Sequence, residues 1–176
     1  MQLLTKTQTI MKKLIVVLLM AVVTLSASAQ FEKGTHYGEA SLTGLGIGYA
    51  SHKFNFGVGA GYGYFVADGW MVGGRFGYLH QGAGNNFATL QGLFRYSFKK
   101  NGLNLGCGLQ YQHGGNSDPD AKGDYIQLCP QVGYTFYLNH YISLEPAIYC
   151  DLGLNDIKYG TNFGLKIGVG LYYKRK

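Results

Sequence analysis

The feature that most constrains this chain is a repeat of two. In FNFGVGAGYGYF, Phe54 to Phe65, one parity carries Phe54, Phe56, Val58, Ala60, Tyr62 and Tyr64, and the other carries Asn55, Gly57, Gly59, Gly61 and Gly63. The segment FGLKIGVGLYY, Phe163 to Tyr173, repeats the pattern, with Phe163, Leu165, Ile167, Val169, Leu171 and Tyr173 opposite Gly164, Lys166, Gly168, Gly170 and Tyr172. A helix would need its apolar residues every three to four positions. Alternation at two puts them on one side of a strand.

Five more segments read the same way: Trp70 to His80, Phe87 to Phe98, Leu103 to His113, Tyr125 to Leu138 and Tyr141 to Leu152. A first strand near His36 to Tyr49 changes phase, with Ala40 and Leu42 on one parity and Leu45, Ile47 and Tyr49 on the other, so a bulge is expected near Thr43-Gly44. The count is eight. Ala67-Asp68-Gly69, Lys99-Lys100-Asn101-Gly102 and Asn139-His140 read as tight turns, whereas Gln81 to Asn86, Gly114 to Asp124 and Gly153 to Lys158 are longer and polar. Ala50 to Lys53 is a short exception. Short turns at one end and longer loops at the other is the asymmetry of an outer-membrane barrel, and an even strand count leaves both termini on the periplasmic side. Pro130 and Pro146 remove ladder donors where a closed barrel offers no free edge, so they are expected at bulges or near the loop-side rim.

Ahead of the strands, Lys12 and Lys13 precede an apolar run from Leu14 to Leu25, and Ala27-Ser28-Ala29 supplies small residues before Gln30. This predicts a secretory signal peptide over 1–29 and a barrel domain over 30–176, with Met11 a plausible alternative start. The run is too short for a membrane-spanning helix. The leader holds three of the 15 basic residues and no acidic one, so residues 30–176 carry 12 basic against nine acidic groups. Lys99-Lys100 and Lys174-Arg175-Lys176 are short and separated, which argues against a nucleic-acid surface and suits a solvated turn and tail. The chain stops three residues after its last strand, so no appended peptidoglycan-binding module is expected.

Alternation alone does not say which face points inward. A soluble lipocalin-like barrel would turn its apolar face in and its other face to water. Here the second face is mostly Gly, Gln, Asn, Ser and Thr, and only 14% of the chain is charged, against about 25% in ordinary soluble domains. That face suits a small polar lumen. Its charges, Glu39, Arg75, Arg95, Glu145 and Lys166, with Asp151, are expected to form an ion network, Glu39, Glu145 and Lys166 pairing across neighbouring strands. Phe56, Val58, Tyr62, Trp70, Leu165, Ile167 and Val169 are then lipid-facing. Tyr62, Tyr64, Trp70, Tyr134 and Phe136 crowd the strand ends beside the short turns, where an interfacial girdle would lie.

The leader, eight strands and short turns resemble the small outer-membrane β-barrel proteins, the group that includes the OmpA membrane domain and OmpX. The most specific piece is the last strand. Lys166, Gly168, Leu171 and Tyr173 fit the polar-x-Gly-x-x-apolar-x-aromatic signal that such proteins present to the barrel-assembly machinery, although Lys174-Arg175-Lys176 follows where the family ends on the aromatic. Gly61 to Asp68 is echoed 72 residues later by Gly133 to His140, and resembles the GYF-turn pattern of small barrels from the Bacteroidota. The resemblance implies an eight-stranded antiparallel up-and-down transmembrane β-barrel in the cell outer membrane. It further implies a monomer surrounded by outer-membrane lipids, with no cofactor and no nucleic-acid partner.

The remaining residues leave alternatives open. His52, His80 and His113 fall toward the loop end, near Ser51, Asp118, Asp120 and Asp124, so a lipid-modifying enzyme at the membrane surface is conceivable, although no catalytic motif of such enzymes matches and no metal-ligand spacing is evident. Cys107 and Cys150 fall on the lipid-facing parity and Cys129 on the lumen parity, so no disulfide is expected between adjacent strands. An eight-stranded barrel has room for little more than its own side chains, which argues against a diffusion pore.

Overall fold

A computed structural model describes residues 31–48, 54–81, 85–99, 101–115 and 123–174. The expected leader, Ser51, His52, Asp118 and Asp120 lie outside them. Eight antiparallel strands close into a ring. They are β1 (Thr35–Gly48), β2 (Phe54–Ala67), β3 (Trp70–Gln81), β4 (Asn85–Ser97), β5 (Leu103–Gly115), β6 in three segments (Asp124–Leu128, Gln131–Tyr134 and Phe136–Tyr137), β7 (Ile142–Gly153) and β8 (Asn162–Lys174). Each pairs with the next, and β8 closes the ring on β1 through a register running from Thr35 opposite Lys174 to Gly48 opposite Asn162. The topology is therefore up-and-down. A four-residue helical turn, Ile157–Gly160, sits in the β7–β8 loop.

The alternation sets the two faces. On β8 every second residue from Asn162 to Tyr172 is buried while Phe163, Leu165, Ile167, Val169 and Leu171 are exposed. The first-strand bulge is present: register shifts between Thr43 and Ile47 against β8, and between Leu45 and Gly46 against β2. The tight β2–β3 turn works because Gly69 takes a positive φ of 78°, a conformation that L side chains rarely adopt.

The sixth strand departs from its expected unbroken run. Pro130 interrupts it in mid-strand, where Cys129 and Gly108 still exchange backbone hydrogen bonds on one side and Cys150 N–H donates to the Pro130 carbonyl (3.0 Å) on the other. Pro146 corrects the proline expectation, because it lies inside β7 in unbroken register with β8, opposite Ile167, away from any bulge or rim. On its other side Gly133 pairs with Ala147 and Phe136 with Leu144, which sets Pro146 opposite Tyr134, beside the second interruption at Thr135. The donor that proline lacks coincides with a gap in the ladder.

Candidate functional site

Among the described residues two clusters of paired charges lie along the lumen. Toward the short turns lies Glu145 on β7, whose carboxylate accepts four hydrogen bonds: from Tyr37 (2.7 Å) and Arg95 (2.8 Å) at Oε2, and from Tyr172 (2.6 Å) and Ser143 (2.7 Å) at Oε1. Arg95, 2% exposed, also donates to the Tyr172 hydroxyl (3.1 Å) and stacks its guanidinium over the Tyr37 ring at 4.3 Å. Gly170 makes this possible. A Cβ there would sit 2.5 Å from Ser143 Oγ and 2.6 Å from Glu145 Oε1.

The second cluster centres on Glu39. Its carboxylate takes Arg75 Nη2 at 2.9 Å and Lys166 Nζ at 3.1 Å, while Arg75 Nη1 donates to Gln91 (2.5 Å) and Lys166 to Gln131 (3.3 Å). Tyr37 links the clusters through its hydroxyl, 3.3 Å from Glu39. Of the expected pairings, Glu39 with Lys166 joins neighbouring strands β1 and β8. Glu145 behaves differently: it reaches across the lumen to Arg95 on β4 rather than to Lys166 on the strand beside it. In a narrow barrel the opposite wall is within reach of a long side chain, so strand adjacency alone does not choose the partner.

Both ends of the lumen are covered. Phe31, fully buried, packs at the turn-end mouth against Phe65 (5.8 Å between centroids), Tyr137 (5.8 Å) and Tyr172 (6.0 Å). Its carbonyl accepts from Gly69 N–H (2.7 Å), and Gly34 N–H donates to Phe65 (2.9 Å). Nothing in the sequence pattern marks Phe31, which precedes the first strand. Toward the loops, Phe87 and Tyr125 are buried with their rings in edge contact, and Gln127 donates to the Gly160 carbonyl (2.6 Å). Between lies a cavity of about 60 Å³, lined by Ser41, Arg75, Gln91, Gln131, Asp151 and Lys166 among others. Ser41 Oγ and Arg75 Nε are buried without a protein partner, and so are both amide atoms of Gln112 higher up. That volume suffices for a few water molecules.

Outside, the side chains are apolar. Phe56, Val58, Tyr62, Trp70, Leu165, Ile167 and Val169 are all exposed, between 41% and 52%. Aromatics gather beside the short turns: Trp70 against Tyr96 (4.5 Å) and Phe94 (5.1 Å), Tyr134 against Phe136 (4.6 Å), and His36 stacked on Tyr173 (4.8 Å) and bonded to the Tyr62 hydroxyl (2.5 Å). Cys107 is exposed, Cys129 is buried inside, and the three thiols are free. The two described loop-end histidines are held separately, His80 by Asn86 (2.7 Å) on β3–β4 and His113 by Asp124 (2.5 Å) on β5–β6.

Charge divides by level. Within residues 30–176 the lumen holds Arg75, Arg95 and Lys166 against Glu39, Glu145 and Asp151, which cancel. Among the described residues the loop side has Lys158 against Asp124 and Asp156. Among the described residues the turn side has Lys33, Lys99 and Lys174 against Glu32 and Asp68. Here Asp68 accepts from Lys99 Nζ (2.6 Å) and Lys33 N–H (2.8 Å), and Lys174 pairs with Glu32 (3.0 Å). The Lys99 hydrogen bond and then that of Lys33 hold the Asp68 carboxyl below its usual range.

A closed antiparallel ring, polar inside and apolar outside, defines an eight-stranded barrel of the outer-membrane type. Among solved structures the chain is similar to the N-terminal β-barrel domain of Pseudomonas aeruginosa OprF, with 19% identity and a TM-score of 0.59 over 80% of this chain and 98% of that one. It is also similar to Neisserial surface protein A, with 12% identity and a TM-score of 0.61 over 80% and 98%. These likenesses show the fold. No protein-family model matches the chain, and no curated protein does.

Proposed function

We propose that this protein is an integral outer-membrane barrel with a structural or interaction role, held in the bilayer by its outward side chains and without a catalytic centre. The carrying observation is the inversion of the two faces: a lumen of paired charges inside and an unbroken apolar exterior outside, which water would penalise and lipid would accept. In this reading residues 1–29 are a signal peptide, and the mature chain is a monomer surrounded by outer-membrane lipids. Lys166, Gly168, Leu171 and Tyr173 serve as the assembly signal for the barrel-assembly machinery. The paired lumen charges act as structural ties between the barrel walls.

The test is to fractionate cells and run the detergent-extracted protein on denaturing gels with and without boiling. Recovery in the outer-membrane fraction, with a mobility shift on boiling, is expected. Release without detergent, and no shift, would instead favour a soluble barrel.

A further inference from the structure

We propose that residues 31–34 form a hinged lid over the turn-end mouth, latched by the Phe31 ring, and that its release bares an aromatic-walled pocket to the side the short turns face. The lid belongs to the barrel itself and goes beyond the structural role proposed above. This strap lies outside the β1–β8 ladder, whose first pair is Thr35 with Lys174. Gly34 joins strap to strand at a positive φ of 88°, which glycine adopts without steric cost, so the chain can turn at this joint. The strap has one buried side-chain anchor, Phe31, seated among the rings of Phe65, Tyr137 and Tyr172. Its ionic ties lie at the surface instead. The Lys99 and Asp68 side chains are 39% and 56% exposed, and those of Lys174 and Glu32 51% and 45%. Exposed pairs of this kind hold weakly.

Beside the strap, Thr35 Oγ1 and Ser97 Oγ are buried with no hydrogen-bond partner in the protein. Thr35 N–H donates to the Glu32 carbonyl (3.1 Å), and Ser97 N–H donates to the carbonyl of Gly69 (2.8 Å), whose own N–H donates to Phe31 (2.7 Å). A buried hydroxyl without a partner carries a desolvation cost, which water relieves once the strap swings out. Release also leaves the charges below it paired. Glu145 draws its four donors from Tyr37, Arg95, Tyr172 and Ser143, none of them on the strap. Undocking therefore breaks the Phe31 contacts and the hydrogen bonds donated by the Lys33, Gly34 and Gly69 N–H groups, and leaves the ring of strands whole.

Amide hydrogen exchange, read residue by residue by NMR on the folded protein in detergent micelles, tests the lid. The Lys33, Gly34 and Gly69 amides should share one level of protection, about tenfold or more below that of Ala40 in the middle of β1, because a local opening exchanges them without unfolding the barrel. Phe31→Ala should lower the protection of these three a further tenfold or so and leave Ala40 unchanged. High salt should lower it only about twofold, since it screens the surface pairs alone. Protection of the three amides equal to that of Ala40 would overturn the proposal, because the strap would then open only with the whole barrel. Three unrelated levels would also overturn it, as the signature of a fraying end. So would unchanged protection in Phe31→Ala, which would remove the ring as the latch. Loss of the boiling-dependent gel shift in Phe31→Ala would make the strap part of the barrel body and refute the lid as well.

Discussion

Glu145 near the turns and Glu39 nearer the loops are both buried carboxylates in one lumen, yet their surroundings differ. Around Glu145 two tyrosine hydroxyls and a serine complete what Arg95 begins, and an aromatic lid led by Phe31 closes the mouth. Around Glu39 there are two cations and one longer contact from the Tyr37 hydroxyl. The adjoining cavity leaves Ser41 Oγ and Arg75 Nε without protein partners. The contrast shows what a carboxylate with four donors requires: tyrosines long enough to reach the centre, and a glycine, Gly170, that leaves room for them. Where small side chains line the wall, the space is left to water.

The largest effect should come from breaking the Glu145 end. Glu145→Ala leaves Arg95 as an uncompensated buried charge and is expected to cost about 3–5 kcal/mol, read from urea unfolding in lipid vesicles. A loss under about 1 kcal/mol would mean that the two ends are equally plastic. Next, Val169→Arg tests the facing of the same strand that supplies Gly170: it should cost about 2–4 kcal/mol near the bilayer midplane, and a neutral outcome would invert the two faces.

A finer comparison uses two glycines two positions apart. Gly170→Ala should cost about 1–3 kcal/mol because its methyl meets Ser143 and Glu145. Gly168→Ala should be close to neutral, since the nearest atom to its methyl, Glu39 Oε1, would lie at 3.5 Å. Equal losses would remove packing from the explanation.

The smallest effect is the pH dependence of the turn-end strap. Because Asp68 is held below its usual range, its contribution is present above the unfolded carboxylate's range and is lost as pH falls through the folded value. Asp68→Asn should therefore flatten the acid limb of the stability curve slightly, with high salt doing the same. An unchanged acid limb would show that solvent fully screens this pair.

The period of two fixed more than the strand count. It separated Glu39, Arg75, Arg95, Glu145 and Lys166 from Phe56, Val58 and Val169, because successive residues in a strand point to opposite faces whatever the strand pairs with. The phase change after Leu42 located the bulge for the same reason. Partner choice was another matter. Alternation says that Glu145 and Arg95 share the lumen, but only the tilt and stagger of eight closed strands bring β7 and β4 to the same height across it. The seat of Phe31, the mid-strand place of Pro146 and the gathering of Lys33, Lys99 and Lys174 at one rim likewise depend on closure. Local chemistry is written along the chain, and contacts between residues far apart in sequence exist only once the ring has formed.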